Sequence, residues 1–205
     1  MAGPAGVGKT TTAVRCMIAA LKRGQNAAYF LFDERLSTLM IRSKALGMDL
    51  QPFIDNGTLQ IRQVDPAELS PGEFAHAVRS AVEDSDASVV VIDSLNAYLH
   101  AMPSDNFLVL QMHELLSYLA QQGVVSIMVL GQHGVTGDLR SDIDISYLAD
   151  TVLMMRFFEA EGEIRKSISV IKTRTSDHER SIREFKIDQD GISIGEPLRG
   201  FSSIL

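Results

Sequence analysis

Residues 3 to 10 read Gly3-Pro4-Ala5-Gly6-Val7-Gly8-Lys9-Thr10. This is the pattern G-x-x-x-x-G-K-[ST], and it restricts the possible folds more than any other stretch of the chain. A loop of this kind is built to hold phosphate. Gly3, Gly6 and Gly8 let backbone N–H groups turn inward, and the helix starting near Lys9 presents its positive end to the same anion. Lys9 is expected to reach the β- and γ-phosphates of a nucleotide, and Thr10 to hold Mg²⁺ through its hydroxyl. Ala5, Val7 and Thr11 complete the nucleotide-binding stretch. Such a loop normally sits between a buried strand and a helix, yet only Met1 and Ala2 precede it here. The expectation is one domain over residues 1–205, cut from a longer protein and lacking its leading strand.

The bulk properties are compatible with one globular domain. The chain has 205 residues, 45% hydrophobic and 22% charged, enough to bury a sizeable core. No apolar run approaches the roughly 18 residues that a membrane span needs. Cys16 is the sole cysteine, so an internal disulfide is excluded and a reducing cytoplasm is the expected setting. Cys16 itself is expected to be a small buried apolar residue. The net charge of −7 disfavours a nucleic-acid backbone as partner, because such proteins concentrate positive charge.

Strand and helix patterns alternate through the first two thirds, which implies a parallel sheet with right-handed crossovers and helices on both faces. The run after Thr10 reads as a helix stopping at Gly24. Residues 27–33, AAYFLFD, form a short buried strand. A helix over 35–46 and an alternating strand over 58–64 follow. Ser70, Pro71 and Glu73 make a helix start with a capping box. The β-branched run 87–93, ASVVVID, suits a central strand covered on both sides. Residues 104–122 carry a leucine and methionine stripe at helical spacing, and 124–131 form the next buried strand. Three further strands, DTVLMMRFFEA, KSISVIKTR and SIREFKID, are separated by a short turn, EGE, and one longer loop, and read as antiparallel additions at one edge.

Several side chains stand where chemistry is expected. Asp93 closes an apolar strand, the arrangement that places a carboxylate beside Mg²⁺ in phosphate-loop enzymes; the bland alternative is a cap for the following turn. Ser94 beside it is suited to the metal's water shell. Asp33 and Glu34 lie at the end of the second strand, where ligands gather in parallel sheets. Glu34 is the preferred general base, with Asp33 assisting it or touching the metal; helix capping is the competing role. Gln132, just past a strand end, can sense a γ-phosphate through its amide, while His133 is read as structural or solvated. His76, His100 and His113 receive no role. Lys172 and Arg174, with Thr173 between them, end an edge strand. A same-face cationic pair there is either a phosphate clamp or an ordinary guard of the sheet edge, and spacing alone leaves both open.

Together these pieces resemble the KaiC family of RecA-like phosphate-loop ATPases. The resemblance spans nearly the whole chain and rests on GPAGVGKT, FDE followed by LGMDL, VVVIDSL, and above all VIKTRTSDHERSIREFKI. The closing LRGFSSIL is similar to the tail of the family's C-terminal ATPase repeat. The resemblance implies a homohexameric ring with ATP between subunits, open to regulatory protein partners. Lys172, Arg174 and His178 would then reach a neighbour's nucleotide, and Leu46 would fall near the adenine. It further implies ATP hydrolysis supported by Asp33 and Glu34, and autophosphorylation in some members. Three departures stand out. The family's acidic pair is usually two glutamates, whereas this chain has Asp33. The adjacent Ser-Thr acceptor pair becomes Ser146-Tyr147, which keeps Ser146 as a candidate phosphoacceptor but argues against a two-site phosphorylation cycle. Asp177 stands where an aromatic often sits.

Two other readings compete. A DNA recombination or repair ATPase needs basic loops toward a ring centre, but segment 131–146 holds one arginine against three aspartates (138, 142 and 144). A regulatory module would bind ATP without turnover and assemble for a partner. No N-K-x-D guanine signature occurs in the chain.

Overall fold

The computed structural model describes residues 1–65, 68–100, 105–132, 148–188 and 191–199. Ala2–Gly3 form a short strand, β1, ahead of the loop and helix α1 (Lys9–Leu21). Strand β2 (Asn26–Leu31) leads to α2 (Leu36–Ala45), α3 (Gln51–Asp55) and β3 (Leu59–Gln63). Helix α4 (Pro71–Ser85), β4 (Ala87–Asp93), α5 (Leu95–His100), α6 (Asp105–Gln121) and β5 (Val125–Gly131) follow. The chain then turns to β6 (Thr151–Ala160), β7 (Glu163–Thr173), β8 (Arg183–Asp188) and β9 (Gly191–Pro197). Among the described residues no helix is long and apolar enough to cross a membrane.

The nine strands among the described residues join one sheet in the order β3-β2-β4-β5-β1-β6-β7-β8-β9. The first six in that order pair in parallel and the remaining contacts are antiparallel. This is the expected α/β architecture, and the antiparallel edge contains one more strand, β9, than the sequence suggested.

Period-two alternation explains why helices cover both faces. On one face Phe30, Val90 and Ile92 pack with Phe74 and Val78 of α4 and with Leu108, Met112 and Leu115 of α6. On the other, Tyr29, Leu31, Val89 and Val91 pack with Val14, Met17 and Ile18 of α1. Helix α4 starts as its sequence requires, with the Ser70 side chain and Glu73 satisfying each other's backbone N–H groups. Cys16 departs from expectation and is exposed. Helix α1 buries Ala13, Val14, Met17 and Ile18, and that stripe turns positions 15, 16 and 19 outward.

The loop does hang from a strand, although a short one. Ala2 pairs with Leu130 of β5 and Met154 of β6, so β1 lies between them in the middle of the sheet. The Met1 amino group donates to Met128 O at 2.7 Å and Leu130 N donates to Met1 O at 2.8 Å. Below this pairing β5 and β6 diverge around a cavity of about 550 Å³, lined by Val125, Ile127, Thr151 and Leu153 among others.

Candidate functional site

The Gly3–Thr10 loop is fixed from both sides. Gly3 has φ +154°, and a Cβ there would lie 2.2 Å from Met155 O. Gly8 has φ +116°, and a Cβ there would lie 2.3 Å from the Ile187 side chain. Both positions therefore need glycine for space as well as for backbone freedom. Val7, fully buried, packs with Met155 and Phe185, and Phe157, Ile168 and Ile187 close the cluster. The antiparallel strands β6, β7 and β8 thus form the wall against which the loop rests. The Lys9 ammonium donates to Gly3 O at 2.8 Å and to Pro4 O at 2.7 Å. Burial lowers the Lys9 pKa, while the nearby Asp93 charge raises it.

Asp93 ends β4 beside the loop. Its Oδ2 accepts from the Tyr29 hydroxyl at 2.6 Å, and the Thr10 side chain also hydrogen-bonds to it. Burial pushes the Asp93 pKa up; the Tyr29 and Thr10 bonds hold it down. Burial also lifts the Tyr29 phenol well above its ordinary value, reinforced by the Asp93 charge. Asp33 accepts a hydrogen bond from the Ser94 hydroxyl. Glu34 is held by Arg42, whose Nη1 lies 2.5 Å from Oε1 and Nη2 2.8 Å from Oε2.

The end of β5 is tied to the same region. The Asn96 side chain donates to Gly131 O at 2.9 Å and accepts from Gly131 N at 2.6 Å. Gln132 N donates to Gly3 O at 3.0 Å. The Gln132 Oε1 atom is buried and has no partner among the described residues.

A cleft of about 490 Å³ brings most of the expected site together. Ala5, Gly6, Lys9 and Thr10 line one side, and Asp33, Glu34, Asp93 and Gln132 line the other. The donor set fits magnesium, a hard cation bound by one or two carboxylates with water and substrate phosphates: the Thr10 hydroxyl and the Asp93 carboxylate adjoin. The buried Lys9 ammonium beside the loop and the N-terminal end of α1 fit a phosphate-bearing ligand. Two participants escape a reading of the sequence. Tyr29 looks like one more core residue in β2, and only the rule that a buried hydroxyl needs a partner hints otherwise. Arg42 sits eight residues beyond Glu34, too far along α2 for the usual helical pair.

Other expected residues lie elsewhere. Thr173 opposes Thr151 at the start of β6, whereas the loop leaves the sheet level with Met154 and Met155. Four residues of strand separate these levels, about 13 Å at 3.3 Å per residue. Lys172, Thr173 and Arg174 are thus at the end of the sheet opposite this chain's own loop. There Arg174 Nη1 pairs with Asp150 Oδ1 at 3.1 Å. His178 is half-buried, and its N–H donates to Asp177 Oδ1 at 3.0 Å. Leu46 caps α2 and packs against the core cluster that contains α1 and β2 residues. Ser146 and His133 fall outside the described residues.

Comparison with known proteins agrees with this geometry. The family model described as "ATPase: KaiC" matches residues 1–199. Circadian clock protein KaiC3 of Synechocystis sp. is 27% identical over 206 residues, covering 100% of this chain and 41% of that protein. Circadian clock oscillator protein KaiC of Picosynechococcus sp. is 25% identical over 209 residues, covering 99% and 39%. The same-named protein of Synechococcus elongatus is 26% identical, also covering 99% and 39%. The chain therefore spans about 40% of the length of these curated relatives. The glycine-lined loop, the buried strand-end carboxylate and a family match across nearly every residue agree: the chain belongs to the KaiC ATPase family.

Proposed function

We propose that the domain binds Mg-ATP on the Gly3–Thr10 loop, hydrolyses it slowly, and works in a homo-oligomeric ring with nucleotide between subunits. The observation that carries this reading is the split site. Lys9, Thr10, Asp93, Glu34 and Gln132 converge on one cleft, while Lys172 and Arg174 lie at the opposite end of the same sheet. A head-to-tail interface brings one chain's loop end against the next chain's cationic end, and such an interface closes into a ring. The hexamer is the ring size this reading adopts.

In the cleft, Lys9 and the N-terminus of α1 stabilise the β- and γ-phosphates. Thr10 and Asp93 would hold Mg²⁺, which when bound neutralises charge on the phosphate oxygens. Tyr29 keeps Asp93 oriented and ionised by donating to Oδ2. Glu34 orients the attacking water and takes its proton, with Asp33, steadied by Ser94, alongside. The Gln132 amide contacts the terminal phosphate. Lys172, Thr173, Arg174 and His178 of a neighbour complete the charge around the nucleotide, with Leu46 near the base. The same chemistry directed at a hydroxyl instead of water would phosphorylate Ser146. Regulatory protein partners belong to this reading, and nucleic acid and membrane do not.

The test is hydrolysis of ATP with Mg²⁺ by the wild-type chain and by Lys9→Ala. Loss of turnover in the variant supports the reading; unchanged turnover sinks it. Mass spectrometry after incubation with Mg-ATP locates any phosphate, and an unmodified Ser146 removes the autokinase part.

A further inference from the structure

The general base of the proposed reaction is not free in this structure. Arg42, on α2, closes a two-point fork on the carboxylate of Glu34, which precedes that helix, Nη1 to Oε1 and Nη2 to Oε2. Both Glu34 oxygens are engaged, so the carboxylate is a poor acceptor for a water proton. The same guanidinium lines the cleft with Gly6, Lys9 and Thr10, so its reach includes the space around the loop.

The chemistry of the fork suits a second partner. A guanidinium has five N–H donors and matches phosphate as well as carboxylate in bidentate geometry. The Arg42 and Glu34 side chains are 37% and 23% exposed, so solvent screens the pair and its partners can exchange. A terminal phosphate carries more negative charge than a carboxylate and offers three acceptor oxygens.

We infer that Arg42 is a triphosphate sensor: a positioning residue that holds Glu34 until the terminal phosphate of a nucleoside triphosphate draws its guanidinium away. The inference rests on the proposed nucleotide site. Binding of a triphosphate then frees the base in the same event that brings the substrate. A diphosphate lacks the third group and leaves the fork closed. The coupling runs both ways, because Glu34 and phosphate compete for one guanidinium. Removing the carboxylate must therefore strengthen triphosphate binding, even though it removes the base.

Calorimetric titration with Mg-AMPPNP, a non-hydrolysable triphosphate, and with Mg-ADP tests this on the wild-type chain, Arg42→Ala, Arg42→Lys, Glu34→Gln and the Arg42→Ala/Glu34→Gln double variant. Arg42→Ala is expected to weaken Mg-AMPPNP binding about tenfold and to leave Mg-ADP within about twofold. Arg42→Lys should recover part of the loss, since it restores charge without the fork. Glu34→Gln should bind Mg-AMPPNP several-fold more tightly, with Mg-ADP unchanged, and the double variant should lose that gain. Equal losses for both nucleotides in Arg42→Ala, or no gain in Glu34→Gln, would overturn the sensor while leaving the nucleotide site intact. A wild-type chain that binds neither nucleotide overturns the site itself. If Arg42→Ala does not fold, Arg42→Lys and Glu34→Gln carry the same comparison.

Discussion

The Tyr29 hydroxyl offers the sharpest handle on the buried half of the site. Tyr29→Phe keeps the ring, which is fully buried between α1 and the sheet, and removes only the donor 2.6 Å from Asp93 Oδ2. Asp93 is 7% exposed, so water cannot readily replace the lost bond, and the Thr10 bond remains. A hydrogen bond to a charged group contributes about 1.5–3 kcal/mol. At this chain length that corresponds to a fall of about 3–12 °C in Tm. The loss depends on pH. Burial already raises the Asp93 pKa above its ordinary 3.8, so folding favours the protonated form and stability falls as pH rises through that raised value. Removing the donor raises the pKa further, so the variant's extra loss is full above its own, higher value and fades as pH falls to the wild-type folded value. Thermal unfolding followed by circular dichroism, as a series from pH 7.5 down to pH 4, reads both effects. A variant within about 1 °C of wild type at pH 7.5, or one whose loss stays constant across the whole series, would refute this account of Asp93.

Phe185→Ala should cost about 3–5 kcal/mol by opening a cavity beside Val7, and should weaken nucleotide binding as well, because the loop loses its wall. Denaturant titration together with nucleotide titration checks both, and normal nucleotide affinity in the folded variant would show that the wall does not support the loop. A chain lengthened ahead of Met1 by about five β-branched residues, the length of an ordinary strand, should melt at least about 4 °C higher. The added residues would pair in the gap between β5 and β6, and an unchanged Tm would mean that the gap does not accept a strand.

The fold was legible wherever local pattern and tertiary role coincide. The β-branched run Val89–Ile92 becomes an interior parallel strand, Ser70 and Glu73 cap α4 reciprocally, and the Gly3–Thr10 loop opens α1. What escaped depends on contacts distant in sequence or on elements too small to show a period. Helix α3 spans Gln51–Asp55, shorter than two turns. Strand β9 offers only Ile192 and Ile194 in a run broken by Gly195, and it exists because β8 provides an edge. The loop, the acidic pair, Asp93 and Gln132 could be found because each sits at a strand end, where parallel sheets collect ligands. Tyr29 reaches Asp93 across 64 positions and Arg42 reaches Glu34 across eight, and neither distance leaves a periodic trace. Val7 reads as filler in the loop motif, although it is the side chain that anchors the loop to the edge strands.

The split site makes its own decisive experiment. Lys9→Ala chains lack a working loop but keep Arg174; Arg174→Ala chains lack the clamp but keep Lys9. Each alone should be inactive as an ATPase. Mixed in equal amounts and allowed to reassemble, about a quarter of head-to-tail interfaces would pair an intact loop with an intact clamp. Recovery of about that fraction of wild-type turnover is the predicted result. No recovery above either variant alone, or full activity in Arg174→Ala chains by themselves, would contradict a nucleotide site shared between neighbouring subunits.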